Sequence, residues 1–432
     1  MRVSVRLMLF ALTSAIVGLC AARSSAQVSY GGTPPSTWAN LQLPLQVLEV
    51  PPIDVAAQAA QRNERRPGEP LYYGVVVPLA LSAEETGVWE MLPGGDLVWR
   101  LALRSPGALS LSAAFSAFQV PPGAQLFVHA GNGARTLGAY IDANANLDGS
   151  FAFEPLAGDE IVIEYLEPAG AAFHGRLVLG ELVHDFKGVF SLLSGGGQPS
   201  PGIAPAAACE IDVNCPQGAG WQNQKRAVVR LLSNGALCTG AMINNTSATK
   251  TQYLMTAFHC GNMNNAIIYF NYERPSCNSG SPPIQTVSGT TQKAGNKTYD
   301  YRLVQVTPTI PAAYNHYLLG WNRTTTAPSN TVCIHHPSGD VKKISFDNHA
   351  PTLYYQYWRI LQWDLGVTEP GSSGSPLMNP SGQFIGQLYG GSSYCATPFD
   401  DIYGRLNLAW AKVKPYLDPT NSGVTSIGGF DP

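Results

Sequence analysis

The sequence predicts an all-β fold, and three observations support this prediction. Short runs rich in Val, Ile, Tyr and Phe recur along the chain, as the strands of sandwiches and barrels do. Turn-forming residues separate these runs, with 44 glycines and 33 prolines among 432 residues. Long amphipathic helices are hard to find. With 45% hydrophobic and 13% charged residues, the chain has the composition of well-buried globular material, and its length allows two or three domains.

The first 26 residues have the pattern of an export signal. Two arginines precede an apolar core from Leu7 to about Ala22, and small residues at 24–26 suit cleavage before Gln27. A membrane anchor is the weaker interpretation, because the apolar run is short and no second one follows. We therefore expect a protein secreted to the periplasm or the exterior, with no membrane association after signal removal and with paired cysteines.

The rest of the chain divides into parts of different composition. Residues 27–187 repeat strand and turn patterns, as in GDEIVIEYLEP, and contain no cysteine and no catalytic cluster, so they predict a β-sandwich domain. Residues 188–208 are rich in Gly, Ser and Pro and predict a linker. Seven of the eight cysteines lie in residues 209–432, where we expect a second domain.

Two classes of partner are disfavoured. A formal net charge of −3, without a cluster of Lys and Arg interleaved with aromatic residues, argues against nucleic acid. The run CIHHPSGD suggests a metal site at first, through Cys333, His335, His336 and Asp340. Adjacent residues on a strand point to opposite faces, so His335 and His336 would not readily bind one ion, and we expect no metal.

Three segments supply the groups that acyl transfer by serine requires: a base, an acid that orients it, and a nucleophile. His259 follows a short apolar run in YLMTAFHCG, and Asp300 stands at the start of a strand pattern in YDYRLVQV. The serine comes from PGSSGSP. The chain order His, Asp, Ser is that of chymotrypsin and differs from the orders in subtilisin and the α/β-hydrolases.

PGSSGSP offers three serines, and its resemblance to the Gly-x-Ser-Gly-(Gly/Ser)-Pro pattern of chymotrypsin-type serine proteases implies that Ser373 is the nucleophile. The elbow motif G-x-S-x-G fails, because Ser375 stands where it requires the second glycine. In the frame G-x-S-G-S-P, Gly371 precedes Ser373 by two residues, so that both N–H groups can form an oxyanion hole. Ser372 replaces the aspartate that many zymogens pair with a new amino terminus, so activation must work differently here.

Eight motifs occur in the order of one known family: CEIDVNCP, CTGAMINN, TAFHCG, YDYRLVQV, CIHHPSGDVKKIS, GVTEPGSSGSP, GQLYGG and DIYGR. Through them, residues 209 to about 418 resemble the lysyl endopeptidases, secreted bacterial serine proteases of the chymotrypsin fold. The resemblance implies two six-stranded β-barrels, here preceded by the β-sandwich as a propeptide domain. It gives His259 as general base, Asp300 as its orienting partner and Ser373 as nucleophile. It implies polypeptide substrates, no cofactor, and the prodomain as partner in the zymogen.

The resemblance also implies a disulfide pattern. Six cysteines alone allow fifteen connectivities, so spacing does not decide the pairing. The implied pairs are Cys209–Cys395, Cys215–Cys277 and Cys238–Cys260. Cys333 would remain as a small buried hydrophobe.

The resemblance places a primary specificity pocket beside the nucleophile loop. Leu388, Tyr389 and Gly390 would form one wall. Asp401 matches the acidic residue that meets the substrate lysine, with Asp400 as its rival. A buried carboxylate should favour Lys or Arg before the scissile bond. The family has histidine at the position of Tyr389, and no tryptophan is securely placed to stack on it, so strict preference for Lys over Arg does not follow.

Two alternatives and one processing site remain open. The chain could be a secreted binding protein whose protease-like domain is inactive, or a serine protease of different primary specificity. If the enzyme cuts after lysine, the Lys187–Gly188 bond ahead of the linker is a candidate for self-cleavage.

Overall fold

The computed structural model describes residues 28–62, 66–189 and 205–432. The predicted export signal and most of the predicted linker therefore lie outside the described residues. The described chain is predominantly β, as the sequence predicts. Its α-helices are α1 Val55–Arg62, α2 Gln222–Ala227 and α3 Leu406–Leu417. None of these described helices is long and apolar enough to span a bilayer.

Two sheets formed by the N-terminal part share one apolar core. With strands numbered in chain order, the first sheet contains β1 Val47–Glu49, β4 Val88–Met91, β5 Leu97–Arg104, β7 Gln125–Ala130, β8 Thr136–Tyr140 and β11 Glu160–Glu167. The second contains β3 Gly74–Ser82, β6 Ser110–Gln119, β9 Phe151–Ala152, β10 Leu156–Ala157 and β12 Arg176–Asp185. Leu101 and Leu126 of the first sheet lie in the same buried cluster as Phe115 and Leu179 of the second, so the sheets pack around a common core.

Two larger sheets carry most of the C-terminal part. The eight-stranded sheet contains β2 Leu71–Tyr72, β14 Val228–Ser233, β15 Ala236–Ile243, β16 Tyr253–Ala257, β17 Ile267–Phe270, β18 Gln285–Ser288, β19 Thr290–Asn296 and β20 Tyr301–Val306. The ten-stranded sheet contains β13 Ile211–Asp212, β21 Trp321–Asn322, β22 Thr331–His335, β23 Lys343–Asp347, β24 Thr352–Tyr354, β25 Tyr357–Gln362, β26 Pro376–Met378, β27 Phe384–Gly391, β28 Phe399–Arg405 and β29 Ser426–Ile427. Residues of both sheets and of α3 share one core, in which Leu303, Phe384 and Leu406 are fully buried.

The N-terminal and C-terminal parts are joined by a strand and by an apolar cluster. Strand β2 lies in the chain between β1 and β3, which both belong to the N-terminal sheets, yet it pairs with β15 through Leu71 with Leu237 and Tyr72 with Ala236. The buried cluster at this contact contains Tyr73, Val183, Val189, Leu232, Leu237, Ile267, Tyr269, Tyr272 and Val341. Short 3-10 turns complete the described structure: Pro35–Thr37, Asp142–Asn144, Pro216–Trp221, Phe258–Cys260, Ala312–Tyr314 and Pro337–Gly339.

Candidate active site

His259 and Asp300 lie side by side at the ends of paired strands. His259 is in the 3-10 turn that follows β16, and Asp300 directly precedes β20, which pairs with β16. The Asp300 carboxylate accepts the His259 backbone N–H on Oδ1 at 2.9 Å, and its Oδ2 lies 2.8 Å from His259 Nδ1. Because a carboxylate only accepts hydrogen bonds, Nδ1 carries the imidazole proton. The other ring nitrogen, Nε2, is then the one that can accept a proton.

The imidazole of His259 faces the nucleophile loop. Its Nε2 is buried and has no hydrogen-bond partner among the described residues. The ring of Tyr389 stands edge-on to it, with centroids 5.8 Å apart. The neighbouring Cys260 places its Sγ 3.8 Å from the Ser373 carbonyl oxygen. His259 and Ser373 thus share one region without a direct hydrogen bond, a contact that in many enzymes tightens only when substrate binds.

The backbone around Ser373 forms a tight turn with two free amides. The N–H of Ser372 donates to Glu369 O at 2.9 Å, and Thr239 binds the loop by donating its N–H to Ser373 O at 2.8 Å. The N–H groups of Gly371 and Ser373 donate to no protein group in the described part of the chain. Gly371 has φ +98, and a Cβ there would lie 2.8 Å from the His336 carbonyl oxygen. Glycine is therefore needed at this turn, and the two amides remain available for an oxyanion.

A buried histidine supports the loop from behind. His335 Nδ1 lies 2.8 Å from Ser372 Oγ, which also accepts the Glu369 N–H at 3.2 Å. The second ring nitrogen of His335 lies 3.0 Å from Ser345 Oγ. Burial lowers the pKa of His335 to about 3, so the ring is neutral at neutral pH. A neutral histidine therefore links Ser372 to Ser345 through hydrogen bonds. The sequence does not predict this role of His335.

The other residues of CIHHPSGD also have structural contacts. His336 is fully buried, with Nδ1 3.0 Å from the Asp340 carbonyl oxygen. Cys333 is an unpaired, fully buried cysteine, and burial raises the pKa of its thiol to about 12. The disulfides are Cys209–Cys395, Cys215–Cys277 and Cys238–Cys260, the pairs that the resemblance implies. The third of these connects β15 to the His259 turn.

Asp401 lies in β28 with its side chain fully buried. Its Oδ2 accepts three hydrogen bonds, from Trp363 Nε1 at 2.7 Å, from Thr368 Oγ1 at 2.8 Å and from Ser393 Oγ at 2.7 Å. These donors hold a carboxylate in one position away from bulk water. The sequence does not identify these donors, since they come from two loops, the one after β25 and the one after β27, and belong to no motif that marks a pocket.

Asp400 has a different environment from its neighbour. Its side chain is 44% exposed and forms an ion pair with Arg359, with Oδ1 and Nε 2.6 Å apart. The geometry thus favours Asp401 over Asp400 as the acidic group of a pocket. The ring of Tyr389 packs against that of Tyr357, at a centroid distance of 5.2 Å.

A cavity opens beside Ser373. Leu388, Tyr389 and Gly390, the expected pocket wall, line it together with Thr368 and Ser373. The neighbouring Gly391 is also required to be small, because a Cβ on it would lie 2.1 Å from Asp401 Oδ1. The nucleophile loop, the wall and the buried carboxylate are therefore adjacent.

Comparisons with known proteins find similar chains. The family model of the lysyl endopeptidase C-terminal domain matches residues 203–404. A lysyl endopeptidase of Pseudomonas aeruginosa is 26% identical over 435 residues, which cover 91% of this chain and 92% of that protein. This protein is a serine endopeptidase. Its sequence is similar to that of lysyl endopeptidases, over residues 203–404 in the family model and over most of the chain in the Pseudomonas relative.

Two solved structures are also similar to this chain. A serine endoprotease from Yersinia pestis is 16% identical, with 45% of this chain and 64% of that chain covered and a TM-score of 0.33. A Glu endopeptidase is 16% identical, with 44% and 90% covered and a TM-score of 0.33. The likeness to the lysyl endopeptidases depends on the sequence matches alone.

Proposed function

We propose that this protein is a secreted endopeptidase that hydrolyses peptide bonds after basic residues, Lys or Arg, through a Ser-His-Asp acyl-enzyme mechanism. The observation that carries the proposal is the double contact of Asp300 with His259, whose ring stands against Tyr389 in the wall of the cavity that Ser373 lines. A carboxylate in this position fixes the tautomer of the imidazole and stabilises the imidazolium that forms during reaction. The proposal assigns His259 as base, Asp300 as its orienting acid and Ser373 as nucleophile.

The reaction would run in two halves. Ser373 Oγ attacks the peptide carbonyl while His259 Nε2 takes the hydroxyl proton, and the N–H groups of Gly371 and Ser373 stabilise the oxyanion. The imidazolium then gives its proton to the leaving amine, and the C–N bond breaks. Water, deprotonated by the same imidazole, hydrolyses the acyl-enzyme and restores the Ser373 hydroxyl.

Asp401 would set the primary specificity. A carboxylate that is fully buried and held by three donors favours a substrate side chain that brings a positive charge. Leu388, Tyr389 and Gly390 would bind the substrate next to the scissile bond. The tyrosine at 389 is the reason that the proposal includes both Lys and Arg.

The proposal includes a layout of the whole chain. Residues 1–26 would be the export signal, 27–187 a β-sandwich propeptide domain, 188–208 a linker, and 209–432 a protease of two β-barrels. Separate apolar cores in the two parts and the location of the disulfides support it. The Lys187–Gly188 bond remains the candidate processing site, although Asp185 accepts the N–H of both residues and that turn must open first.

Two measurements test the proposed function. A fluorophosphonate probe should label the wild-type protein and not the S373A variant, because only an activated serine reacts. No labelling of any form would favour an inactive binding protein. Profiling with a peptide library should then give cleavage after Lys and Arg, and cleavage after acidic or apolar residues would contradict the role of Asp401.

A further inference from the structure

A peptide from the N-terminal part crosses the candidate active site. Residues 66–72, here called the cleft segment, follow α1 and end in β2. The cavity beside Ser373 is lined on one side by Leu388, Tyr389 and Gly390. The N-terminal part also lines it, with Lys187 and with members of the cleft segment: Arg66, Pro67, Glu69, Pro70 and Leu71. The surface that would bind a substrate therefore already contacts a piece of the same chain.

The cleft segment is bound at both of its ends. Gly68 donates its N–H to the Tyr389 carbonyl oxygen at 3.2 Å. Three residues later, Leu71 pairs with Leu237 in β15, the strand that also holds the Ser373 carbonyl through Thr239. Main-chain pairing with an exposed strand is a common way to bind an extended peptide. Since both anchors flank the nucleophile loop, the residues between them, Glu69 and Pro70, lie at the cavity of Ser373.

The contact is close and depends on two glycines. Gly68 has φ +80, and a Cβ on it would lie 2.5 Å from Tyr389 Oη. On the opposite side, a Cβ on Gly390 would lie 3.0 Å from Pro67 Cα. Any larger residue at position 68 would have to displace the tyrosine ring. The cleft segment thus fits the wall of the pocket in detail, as a bound ligand does.

The chemistry of the cleft segment opposes its own cleavage. Glu69 brings a carboxylate to a cavity whose neighbouring buried Asp401 favours a cation, so Glu69 has the wrong charge for that pocket. Proline follows both Glu69 and the single basic residue of the segment, Arg66. A proline on the leaving side has no N–H and a fixed φ, which restricts how the bond can be presented to Ser373. A Lys-X or Arg-X bond with ordinary X is absent from residues 66–72.

We propose that residues 66–72 are an inhibitor held in cis, which fills the substrate cleft and resists cleavage because of Glu69 and Pro70. The inference rests on the proposed function and names the way in which the same site is regulated. The full chain is then latent, and activity requires that the N-terminal part leave the cleft.

The test converts the inhibitor into a substrate. The E69K/P70A double variant of the full chain removes both obstacles and leaves the pairing of Leu71 and Tyr72 intact. Mass spectrometry should find that the bond between positions 69 and 70 is cut in the variant and stays intact in the wild type. The cleavage rate in the variant should exceed the wild-type detection limit at least tenfold. The matched control is E85K/P93A, which makes the same changes at exposed positions of the same part and should leave the 69–70 bond uncut.

A second readout does not depend on catalysis. In the full chain with S373A, hydrogen exchange at residues 68–72 should be slow, as in a paired strand, and both double variants should keep this protection. Fast exchange there would overturn the proposal, as would an uncut E69K/P70A chain in a preparation that hydrolyses Lys peptides. If no preparation hydrolyses Lys peptides or reacts with fluorophosphonate, the proposed function itself fails, and an inhibitor role with it.

Discussion

Replacing Asp401 by Asn should abolish most activity on basic substrates with little loss of stability. The asparagine side chain has nearly the same shape, and its oxygen can still accept from Trp363, Thr368 and Ser393. The charge, however, is lost from a fully buried position. Removing one partner of a buried ion pair costs about 3–5 kcal/mol. At about 1.4 kcal/mol per factor of ten, kcat/KM for a Lys peptide should fall by roughly two to three and a half powers of ten.

The adjacent Asp400 provides the matched control. It carries the same charge one residue away, but it is 44% exposed and paired with Arg359. Exposed pairs contribute at most about 1 kcal/mol, so D400N should reduce kcat/KM less than tenfold. The assay compares kcat/KM for matched Lys, Arg and norleucine peptides, together with thermal unfolding. Equal losses in D400N and D401N, or a D401N enzyme that still discriminates Lys from norleucine, would refute the assignment of the pocket.

Three further predictions concern buried titratable groups. Burial alone would raise the pKa of Glu273, but Lys342 and Lys225 outweigh it and lower the pKa, so its stabilisation is present above about pH 4.5 and lost on acidification. E273Q should therefore unfold in urea with about 3–5 kcal/mol less stability at pH 7 and a flatter acid dependence. Burial raises the pKa of Glu210, and the nearby charge of Glu369 raises it further. The free energy of unfolding should therefore fall as pH rises through that pKa, and the E210Q variant should not show this fall. Cys333, with its pKa raised to about 12, should resist iodoacetamide at pH 8 until the protein unfolds, as mass spectrometry would show.

The sequence predicts those parts of the candidate site that are built from short local motifs. The glycine frame around Ser373 predicts a turn with free amides, and that turn is present. Apolar runs that precede His259 and follow Asp300 predict the two strands that bring these residues together. In both cases the residues that fix the geometry lie within a few positions of the functional group.

Features built from distant segments could not be predicted in the same way. The donors to Asp401 come from positions 363, 368 and 393, and nothing in their local sequence distinguishes them from surface loop residues. The cleft segment lies more than 300 residues before Tyr389, the residue to which it binds. The sequence does not predict the contact of His335 with Ser372, because that contact depends on how β22 packs against the nucleophile loop. Such contacts are set by tertiary packing and leave no period or spacing in the sequence.

The geometry of the nucleophile loop bears on how the full chain would be kept latent. Where an activation salt bridge is needed, a zymogen is inactive because its oxyanion hole is not yet formed. Here Ser372 is already held by the neutral His335, and the N–H groups of Gly371 and Ser373 donate to no described residue while the N-terminal part is still attached. A site that is formed before maturation has to be kept from substrate by exclusion. Occupation of the cleft by residues 66–72 provides that exclusion, and it requires no rearrangement of the nucleophile loop on activation.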